Sequence, residues 1–208
     1  MTQTTPTVFV VDDDASVRRS LARLLKSADY QVETFSSAAE FLASGQHGRS
    51  PACLVLDLRM PGLTGMDLQE RLAALQSPLA IVFITGHGDI PTSVQAMKRG
   101  ALDFLPKPFD DTQLLEAVAR AIERTRQVQK AQAELAAIQQ RFATLTARER
   151  EVMACIVTGK LNKQVADDRG TVEKTIKVHR ARIFEKMQVR SLAELVPLAE
   201  KLGLLVSN

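Results

Sequence analysis

Residues 8–14 read VFVVDDD, four apolar residues followed directly by three carboxylates. A short apolar run rich in Val is typical of a strand that is buried on both faces. Four further short apolar runs occur in the first 125 residues, and segments of helical periodicity separate them; the runs lie at 32–35, 54–56, 81–84 and 104–105. This alternation predicts an α/β fold, a doubly wound five-stranded parallel sheet with helices on both faces.

Polar side chains follow the predicted strands where each one ends: Asp12 and Asp13, Asp57, Thr85 and Lys107. Because ligands bind at the carboxyl ends of parallel strands, we expect these side chains to form one site. Clustered carboxylates repel one another, and a hard divalent cation such as Mg²⁺ relieves that repulsion. A carboxylate nucleophile, a metal, a lysine and a hydroxyl donor are the groups that hold a transferring phosphoryl group.

Four motifs in this order resemble the receiver domain of two-component response regulators, over nearly all of residues 7–125. They are VVDDD at 10–14, VLDLRMPGLTG at 55–65, ITGHGD at 84–89 and DFLPKPF at 103–109. The resemblance implies a flavodoxin-like fold with strand order 2-1-3-4-5. It also implies a protein that is no enzyme apart from Mg²⁺-dependent self-phosphorylation and slow autodephosphorylation.

The resemblance assigns the residues of this site. Asp57 is implied to accept a phosphoryl group from a sensor histidine kinase. Mg²⁺ is implied to bind Asp12, Asp13, Asp57 and the backbone carbonyl of Arg59. The implied phosphoryl-contacting and switch residues are Thr85, Phe104 and Lys107, the last followed by a cis peptide bond to Pro108.

A different function for the acidic cluster is a phosphatase of the haloacid-dehalogenase type. In such enzymes the first Asp of an Asp-x-Asp pair is the nucleophile, here Asp12 with Asp14. The chain lacks room for that family's cap domain, and Asp57 and Lys107 would have no role. We therefore interpret Asp14 as the N-cap of a helix that begins at Ala15.

Charge divides the chain into three parts. Residues 1–125 hold 12 basic and 15 acidic side chains, residues 126–143 hold 3 and 1, and residues 144–208 hold 12 and 8. The net charge of +3 therefore averages an acidic first part and a basic second part. A basic module beside an acidic domain is typical of polyanion binding. We predict a receiver domain at 1–125, a linker at 126–143 and a DNA-binding domain at 144–208.

The linker has no Gly or Pro and is predicted to be helical, either with a short packed contact or as a solvated helix. Beyond it, capping residues and glycines delimit four short helices, a separate all-α helix-turn-helix domain. Capping boxes are predicted at Thr146–Glu149 and Ser191–Glu194, and Asn162 is predicted to cap the second helix.

The third of these helices, predicted over 173–187, is amphipathic and cationic. Its surroundings resemble the LuxR-type helix-turn-helix of NarL/FixJ regulators through LTARERE at 145–151, GKLNKQVA at 159–166, TIKVHRARIFEKM at 175–187 and VRSLAELV at 189–196. The resemblance implies that this helix enters the major groove of double-stranded DNA. It also implies a dimer contact through the fourth helix, with which Leu195, Val196 and Leu198 are consistent.

The predicted DNA contacts come from the resemblance and from the run of basic residues between Lys174 and Arg190. Lys177 and Val178 are implied to face base edges, with Arg180 or Arg182 nearby. Lys163, Thr175 and His179 are implied to hold phosphates, and Lys174 adds charge to the same surface.

The turn before this helix departs from the family pattern, since Arg169 stands where a leucine is usual and Val172 where a serine is usual. Burying an unpaired charge is costly. We therefore expect Arg169 to reach solvent or to pair with Asp167 or Asp168, and Thr171 to serve as the cap.

These inferences together predict a FixJ-like response regulator. Phosphorylation of Asp57 is expected to draw in Thr85 and Phe104 and to reshape the surface at 90–99, which then dimerises or releases the basic module. A dimer is expected to bind an inverted-repeat promoter, with RNA polymerase a further partner. Two alternatives remain, the phosphatase and a signalling adaptor that no longer reads DNA. We expect a cytoplasmic protein, because neither a signal peptide nor a bilayer-spanning stretch is visible.

Overall fold

The computed structural model describes residues 5–48, 51–86 and 90–205, with the backbone alone for 90–92. The end of the ITGHGD motif, residues 87–89, lies outside the described residues. The chain divides into two compact units, residues 1–130 and 131–208. Among the described residues, no helix combines the length and the apolar character needed to cross a membrane.

The first unit is a five-stranded parallel sheet in the order β2-β1-β3-β4-β5, and the predicted α/β fold and strand order are confirmed. Its strands are β1 (Thr7–Val11), β2 (Gln31–Phe35), β3 (Ala52–Asp57), β4 (Ala80–Thr85) and β5 (Asp103–Pro106). Its helices are α1 (Ala15–Ser27), α2 (Ala38–Ala43), α3 (Gly65–Ala74), α4 (Ile90–Lys98) and the first part of α5 (Asp111–Ala143), with a 3-10 turn at Gln46–Gly48.

Alternate residues of each strand serve two cores, because successive side chains point to opposite faces of a sheet. Phe9 and Val11 of β1 pack with residues of α2, α3 and α4 on one face. Val8 and Val10 pack with residues of α1 and α5 on the other. Every residue of β1, β3 and β4 is buried, as their nearly continuous apolar sequences predict.

The second unit contains the end of α5 together with α6 (Ala147–Val157), α7 (Asn162–Asp168), α8 (Glu173–Met187) and α9 (Leu192–Lys201). Helix α8 begins and ends where the sequence predicts. Ile138 near the end of α5 is fully buried in this core, with Met153 of α6, Val165 of α7 and Ile183 of α8. The last turns of the predicted linker therefore contribute to the core of the second unit.

Helix α9 exposes fewer apolar side chains at the surface than its sequence suggested for a dimer contact. Leu195 is buried inside its own unit, while Val196 and Leu198 are partly buried against the same core. Leu195 is therefore not available for the dimer contact that the sequence suggested for this helix.

Candidate functional sites: an acidic cluster and a basic helix

The acidic cluster forms where β1 and β3 end, at the carboxyl edge of the sheet. Asp12 follows β1 and Asp57 is the last residue of β3, and their residues are only 1% and 6% exposed. The Lys107 ammonium lies between them, with Nζ 2.7 Å from Oδ2 of Asp12 and 3.0 Å from Oδ1 of Asp57. Three residues separated by up to 95 positions in the chain thus meet in one ion-paired group.

The remaining oxygens of the two buried carboxylates accept backbone hydrogen bonds. The amide of Asp14 donates to Oδ1 of Asp12 at 2.8 Å, and the amide of Arg59 donates to Oδ2 of Asp57 at 2.9 Å. Asp14 accepts from the amide of Ser16 and caps α1, as predicted. Asp13 is exposed beside the cluster.

Burial sets the protonation chemistry of this group. Desolvation raises the pKa of Asp57 above its ordinary value, although the hydrogen bond and charge of Lys107 oppose the shift. Burial alone would lower the pKa of Lys107, but its hydrogen bonds to Asp12 and Asp57 outweigh that effect and raise it. The site therefore holds a lysine that stays charged and a carboxylate whose charge is costly to bury.

Thr85 and Phe104 lie on the two strands next to this group. Thr85 ends β4, is buried, and its carbonyl accepts a 2.7 Å hydrogen bond from the amide of Lys107. Phe104 is partly buried on β5, where it pairs in register with Phe83. The peptide bond from Lys107 to Pro108 is cis.

The backbone of Asp57 is also approached closely by the start of α3. A Cβ on Gly65 would lie 2.4 Å from the carbonyl oxygen of Asp57 and 3.0 Å from the ring of Phe83. Only a glycine allows this approach. The MPGLTG segment thus packs the N-terminus of α3 against the strand end that carries Asp57.

The donor set at this edge suits a hard divalent cation. Carboxylates and backbone carbonyls are the ligands that Mg²⁺ prefers, and Asp12, Asp57, exposed Asp13 and the carbonyl of Arg59 offer such oxygens. The raised pKa of Asp57 indicates that its negative charge is incompletely compensated by Lys107. Within the described ranges, no three acidic, His or Cys side chains already stand as a ligand set; Lys107 bridges the two buried carboxylates instead.

The second candidate site is the exposed face of α8. Ile176, Ile183 and Met187 are fully buried on its inner face. The residues predicted to contact DNA are distributed over the rest of the helix and the start of α7: Lys174, Lys177, Val178, Arg182 and Lys163 are exposed, while Thr175, His179 and Arg180 are partly buried. Lys177 pairs with Glu173 at 3.0 Å on the surface, a contact worth little in water.

The turn between α7 and α8 agrees with the expectation that Arg169 reaches solvent, but the predicted ion-pair partners were wrong. Arg169 is paired, but its partner is Glu151 of α6 at 3.2 Å, and Nη2 of Arg169 also lies 3.5 Å from the Cys155 sulfur. Asp168 pairs instead with Lys160 at 2.6 Å. Arg169 stays partly exposed, so the long side chain crosses α6 while keeping its charge solvated.

Among the caps predicted for the second unit, two were wrong and one capping box was confirmed. The N-cap of α8 is Val172 rather than Thr171, and its side chain accepts no hydrogen bond. The N-cap of α7 is Leu161, one residue before Asn162. The capping box of Thr146 and Glu149 is confirmed, and Ser191 caps α9 by accepting from the amide of Glu194. The Ser191–Glu194 box was confirmed only for Ser191, because the Glu194 carboxylate accepts from the amide of Arg190 instead.

Two polar contacts of the second unit carried no sequence signal. The Glu149 carboxylate, 2% exposed, accepts a 2.6 Å hydrogen bond from Lys186 of α8. The Arg180 guanidinium donates to Oδ1 of Asn162 at 3.1 Å and lies over the ring of Phe184. The capping box pointed to Glu149, but nothing in the chain pattern linked it to a lysine 37 residues away.

Two family models match the chain, one over each unit. Residues 8–119 match the response regulator receiver domain, and residues 143–199 match the luxR family of bacterial regulatory proteins. The acidic cluster lies within the first match and α8 lies within the second. The phosphatase alternative has no such support, and the family is one of non-enzymatic transcription factors.

Similar proteins cover nearly the whole chain. Nodulation protein W of Bradyrhizobium diazoefficiens is 50% identical over 197 residues, 95% of this chain and 86% of that protein. Transcriptional regulatory protein FixJ of the same organism is 45% identical over 198 residues, 95% of this chain and 96% of that protein. Among solved structures, the response regulator StyR gives a TM-score of 0.80 at 49% identity, over 95% of this chain and 100% of that one.

An ion-paired acidic cluster at the end of a parallel sheet and a cationic helix in a second unit thus coincide with the two family matches. The chain belongs to the FixJ/NarL-type response regulators, the transcription factors of two-component systems that join a receiver domain to a LuxR-type DNA-binding domain.

Proposed function

We propose that Asp57 is the residue of this chain that accepts the phosphoryl group from its sensor histidine kinase. The observation that carries the proposal is the Lys107 ammonium, which bridges Asp57 and Asp12 at hydrogen-bonding distance. One oxygen of Asp57 attacks the phosphorus, the bond from phosphorus to the donor's leaving group breaks, and an aspartyl phosphate forms. The Lys107 ammonium then interacts with the phosphoryl oxygens, whose negative charge takes the place of the charge on the free carboxylate.

Receiver domains use Mg²⁺ for phosphorylation, and in this chain we assign the ion to Asp12, Asp13, Asp57 and the carbonyl of Arg59. When bound, the ion neutralises charge on the phosphoryl oxygens. Asp12 and Asp57 are buried at adjacent strand ends, which holds their carboxylates close together. The amide of Arg59 donates to Asp57, which keeps the backbone of Arg59 next to that carboxylate. Self-phosphorylation from a small phosphodonor and slow hydrolysis of the aspartyl phosphate by water belong to the same proposal.

The switch in this proposal involves Thr85, Phe104 and the surface of α4. Val94 and Met97 are each 45% exposed and, with Phe104, line a shallow pocket of about 440 Å³ between α4 and β5. A conformational change of Phe104 would alter this apolar surface directly. We propose that phosphorylation makes it a dimer contact, which brings two copies of α8 onto an inverted-repeat promoter, where RNA polymerase is a further partner.

The DNA-binding surface in this proposal is the outer face of α8 with the start of α7. Exposed Lys177 and Val178 are assigned to base edges, and Val178, 46% exposed, offers an apolar contact suited to a thymine methyl. Arg180 or Arg182 is assigned a place near the same base edges. Phosphates are assigned to Lys163, Thr175 and His179, and Lys174 adds positive charge to this surface. The functional division follows 1–125, 126–143 and 144–208, with the end of the middle segment packed into the core of the DNA-binding domain.

Intact-mass measurement tests the phosphoacceptor. Full-length protein treated with a small-molecule phosphodonor and Mg²⁺ should gain one phosphoryl group, and Asp57→Asn should gain none. Asp29→Asn is the matched control, because Asp29 adopts a positive φ of 63°, which Asn tolerates. Phosphorylation of Asp57→Asn at the wild-type level would refute the assignment.

A further inference from the structure

The contact between Arg180 and Asn162 gives Arg180 a role beyond the proposed DNA contacts. Arg180 lies in the middle of α8, and Asn162 is the first residue of α7. The Nη1 atom of Arg180 donates to Oδ1 of Asn162 at 3.1 Å, between residues 18 positions apart. This hydrogen bond joins the two helices of the helix-turn-helix at the point where α7 begins.

A second contact orients the same guanidinium. Its central carbon lies 5.4 Å from the centroid of the Phe184 ring, one turn further along α8. Phe184 is partly buried and packs against the core of the second unit. A guanidinium that lies over an aromatic face and donates to an amide is restricted in direction, since both interactions fix the plane of the group.

The neighbouring arginine provides a contrast on the same helix. Arg182 is exposed, and within the part of the chain that the structure describes its guanidinium has no hydrogen-bond or ion-pair partner. Its charge is available to a ligand at no cost in internal contacts. Two arginines that look equivalent in the run VHRAR are therefore in different states: one is engaged within the protein and one is free.

We propose that Arg180 is a positioning residue for DNA recognition, which holds the start of α7 against α8 through Asn162. Lys163, assigned to a phosphate, directly follows Asn162, while Lys177 and Val178, assigned to base edges, lie on α8. Phosphate contacts set the register in which base contacts are made. The Arg180–Asn162 hydrogen bond fixes the spacing between these two sets of groups, and so supports binding to a specific site more than binding to DNA in general.

Variants that keep or remove charge separate this role from a direct phosphate contact. Arg180→Lys keeps the positive charge but loses the planar group that serves both Asn162 and Phe184. Asn162→Ala changes no charge at all. Two probes are needed: the duplex that phosphorylated wild-type protein selects from a random pool, and an unrelated duplex of equal length. Arg150→Lys is the matched control, because Arg150 also lies over an aromatic ring, that of Phe142, and donates to a carbonyl, but it belongs to α6 and is assigned to no DNA contact.

The proposal predicts that Arg180→Lys and Asn162→Ala each weaken binding to the selected duplex by roughly three- to tenfold, the equivalent of one net hydrogen bond. The double variant should lose little more than either single variant, because both break the same contact. Binding to the unrelated duplex should be unchanged, and Arg150→Lys should bind both duplexes nearly as wild type.

Two results would overturn the proposal: wild-type affinity of Asn162→Ala for the selected duplex, or additive losses in the double variant. Either would show that Arg180 acts without Asn162. Far-UV circular dichroism of each variant at the binding temperature confirms that the helices are formed. Phosphorylation of Asp57, measured by mass, shows that the receiver is intact, so failure here would leave the phosphoacceptor assignment unaffected.

Discussion

The Nζ atom of Lys107 lies 3.0 Å from Oδ1 of Asp57 and binds a carboxylate whose pKa is raised by burial. The lysine compensates part of the cost of burying the Asp57 charge, and Asp12 shares the same ammonium. Two buried carboxylates on one cation leave excess negative charge at the strand ends. We therefore expect this site to accept a further cation, as the proposed phosphorylation of Asp57 requires.

Neutralising Asp57 is expected to stabilise the receiver at neutral pH. The folded-state pKa of Asp57 is raised, so the folded protein binds more protons than the unfolded chain over the window from the ordinary carboxyl pKa up to the raised value. Stability from this group therefore falls as pH rises through that window. Asp57→Asn should raise the unfolding midpoint at pH 7, and the difference from wild type should shrink on acidification.

Tyrosine fluorescence measures this effect for one unit alone. Tyr30 is the only tyrosine, the chain has no tryptophan, and Tyr30 packs against the receiver core. Urea titrations followed at this residue report receiver unfolding separately from the second unit. A lower midpoint for Asp57→Asn at pH 7 would show that the charge of Asp57 is compensated better than its raised pKa implies.

Gly65→Ala is expected to destabilise the receiver by about 1–3 kcal/mol, the usual cost of overpacking. The added Cβ would lie 2.4 Å from the Asp57 carbonyl oxygen, so either the start of α3 or the end of β3 must move. Phosphorylation should slow for the same reason. Gly48→Ala is the control, because open space surrounds that position. Equal urea midpoints for the two variants would contradict the close approach.

The Thr125 hydroxyl is expected to contribute to receiver stability through the first residue of β4. It accepts from the buried amide of Ala80 at 3.0 Å and donates to the carbonyl of Ala121. Thr125→Val leaves that amide without a partner and should cost about 1–3 kcal/mol. Thr125→Ser retains the hydroxyl and should recover part of the loss in the same Tyr30 titration; recovery of none of it would assign the effect to packing.

Glu149→Gln is expected to destabilise the DNA-binding unit by about 1.5–3 kcal/mol, the range for hydrogen bonds to charged groups. The carboxylate is buried, which by itself raises its pKa, but Lys186 and the capping bonds of Thr146 outweigh burial and lower it. Stability from this pair is therefore present above the ordinary Glu pKa and is lost as pH falls through the lowered value.

Thermal unfolding followed by circular dichroism tests this pair. Glu194→Gln is the matched control, because Glu194 has the same position in the first turn of α9 but is exposed, and its carboxylate accepts from the backbone amide of Arg190 rather than from a charged side chain. Its effect should stay within about 0.5 kcal/mol. Equal losses of stability in the two glutamine variants would mean that the Lys186 ion pair adds no stability beyond that of the helix cap.

The fold was predictable because its signals are local. Five apolar runs alternating with helical segments indicate the parallel sheet, and the strand-end rule groups Asp12, Asp57 and Lys107 although they lie far apart in sequence. The ends of α8 were predictable from its periodicity; in the structure the helix ends at Gln188, which adopts the left-handed conformation.

The contacts that were missed depend on distant partners. Arg169 reaches Glu151 rather than its acidic neighbours, because α6 passes close to the turn while Asp168 is already taken by Lys160. Asn162 was predicted to be a cap from its position, but α7 begins one residue earlier than predicted. The side-chain oxygen of Asn162 instead accepts a hydrogen bond from Arg180. Local pattern cannot distinguish these outcomes, since tertiary packing decides which partner comes within reach.

We propose above that phosphorylation of Asp57 controls DNA binding. The direct measurement is a gel-shift titration with the DNA upstream of the protein's own operon, carried out with and without a small-molecule phosphodonor and Mg²⁺ on wild type and Asp57→Asn. Wild type should bind more tightly after phosphorylation, and Asp57→Asn should stay at the unphosphorylated affinity. Binding by Asp57→Asn as tight as that of phosphorylated wild type would show that phosphorylation of Asp57 does not control DNA binding.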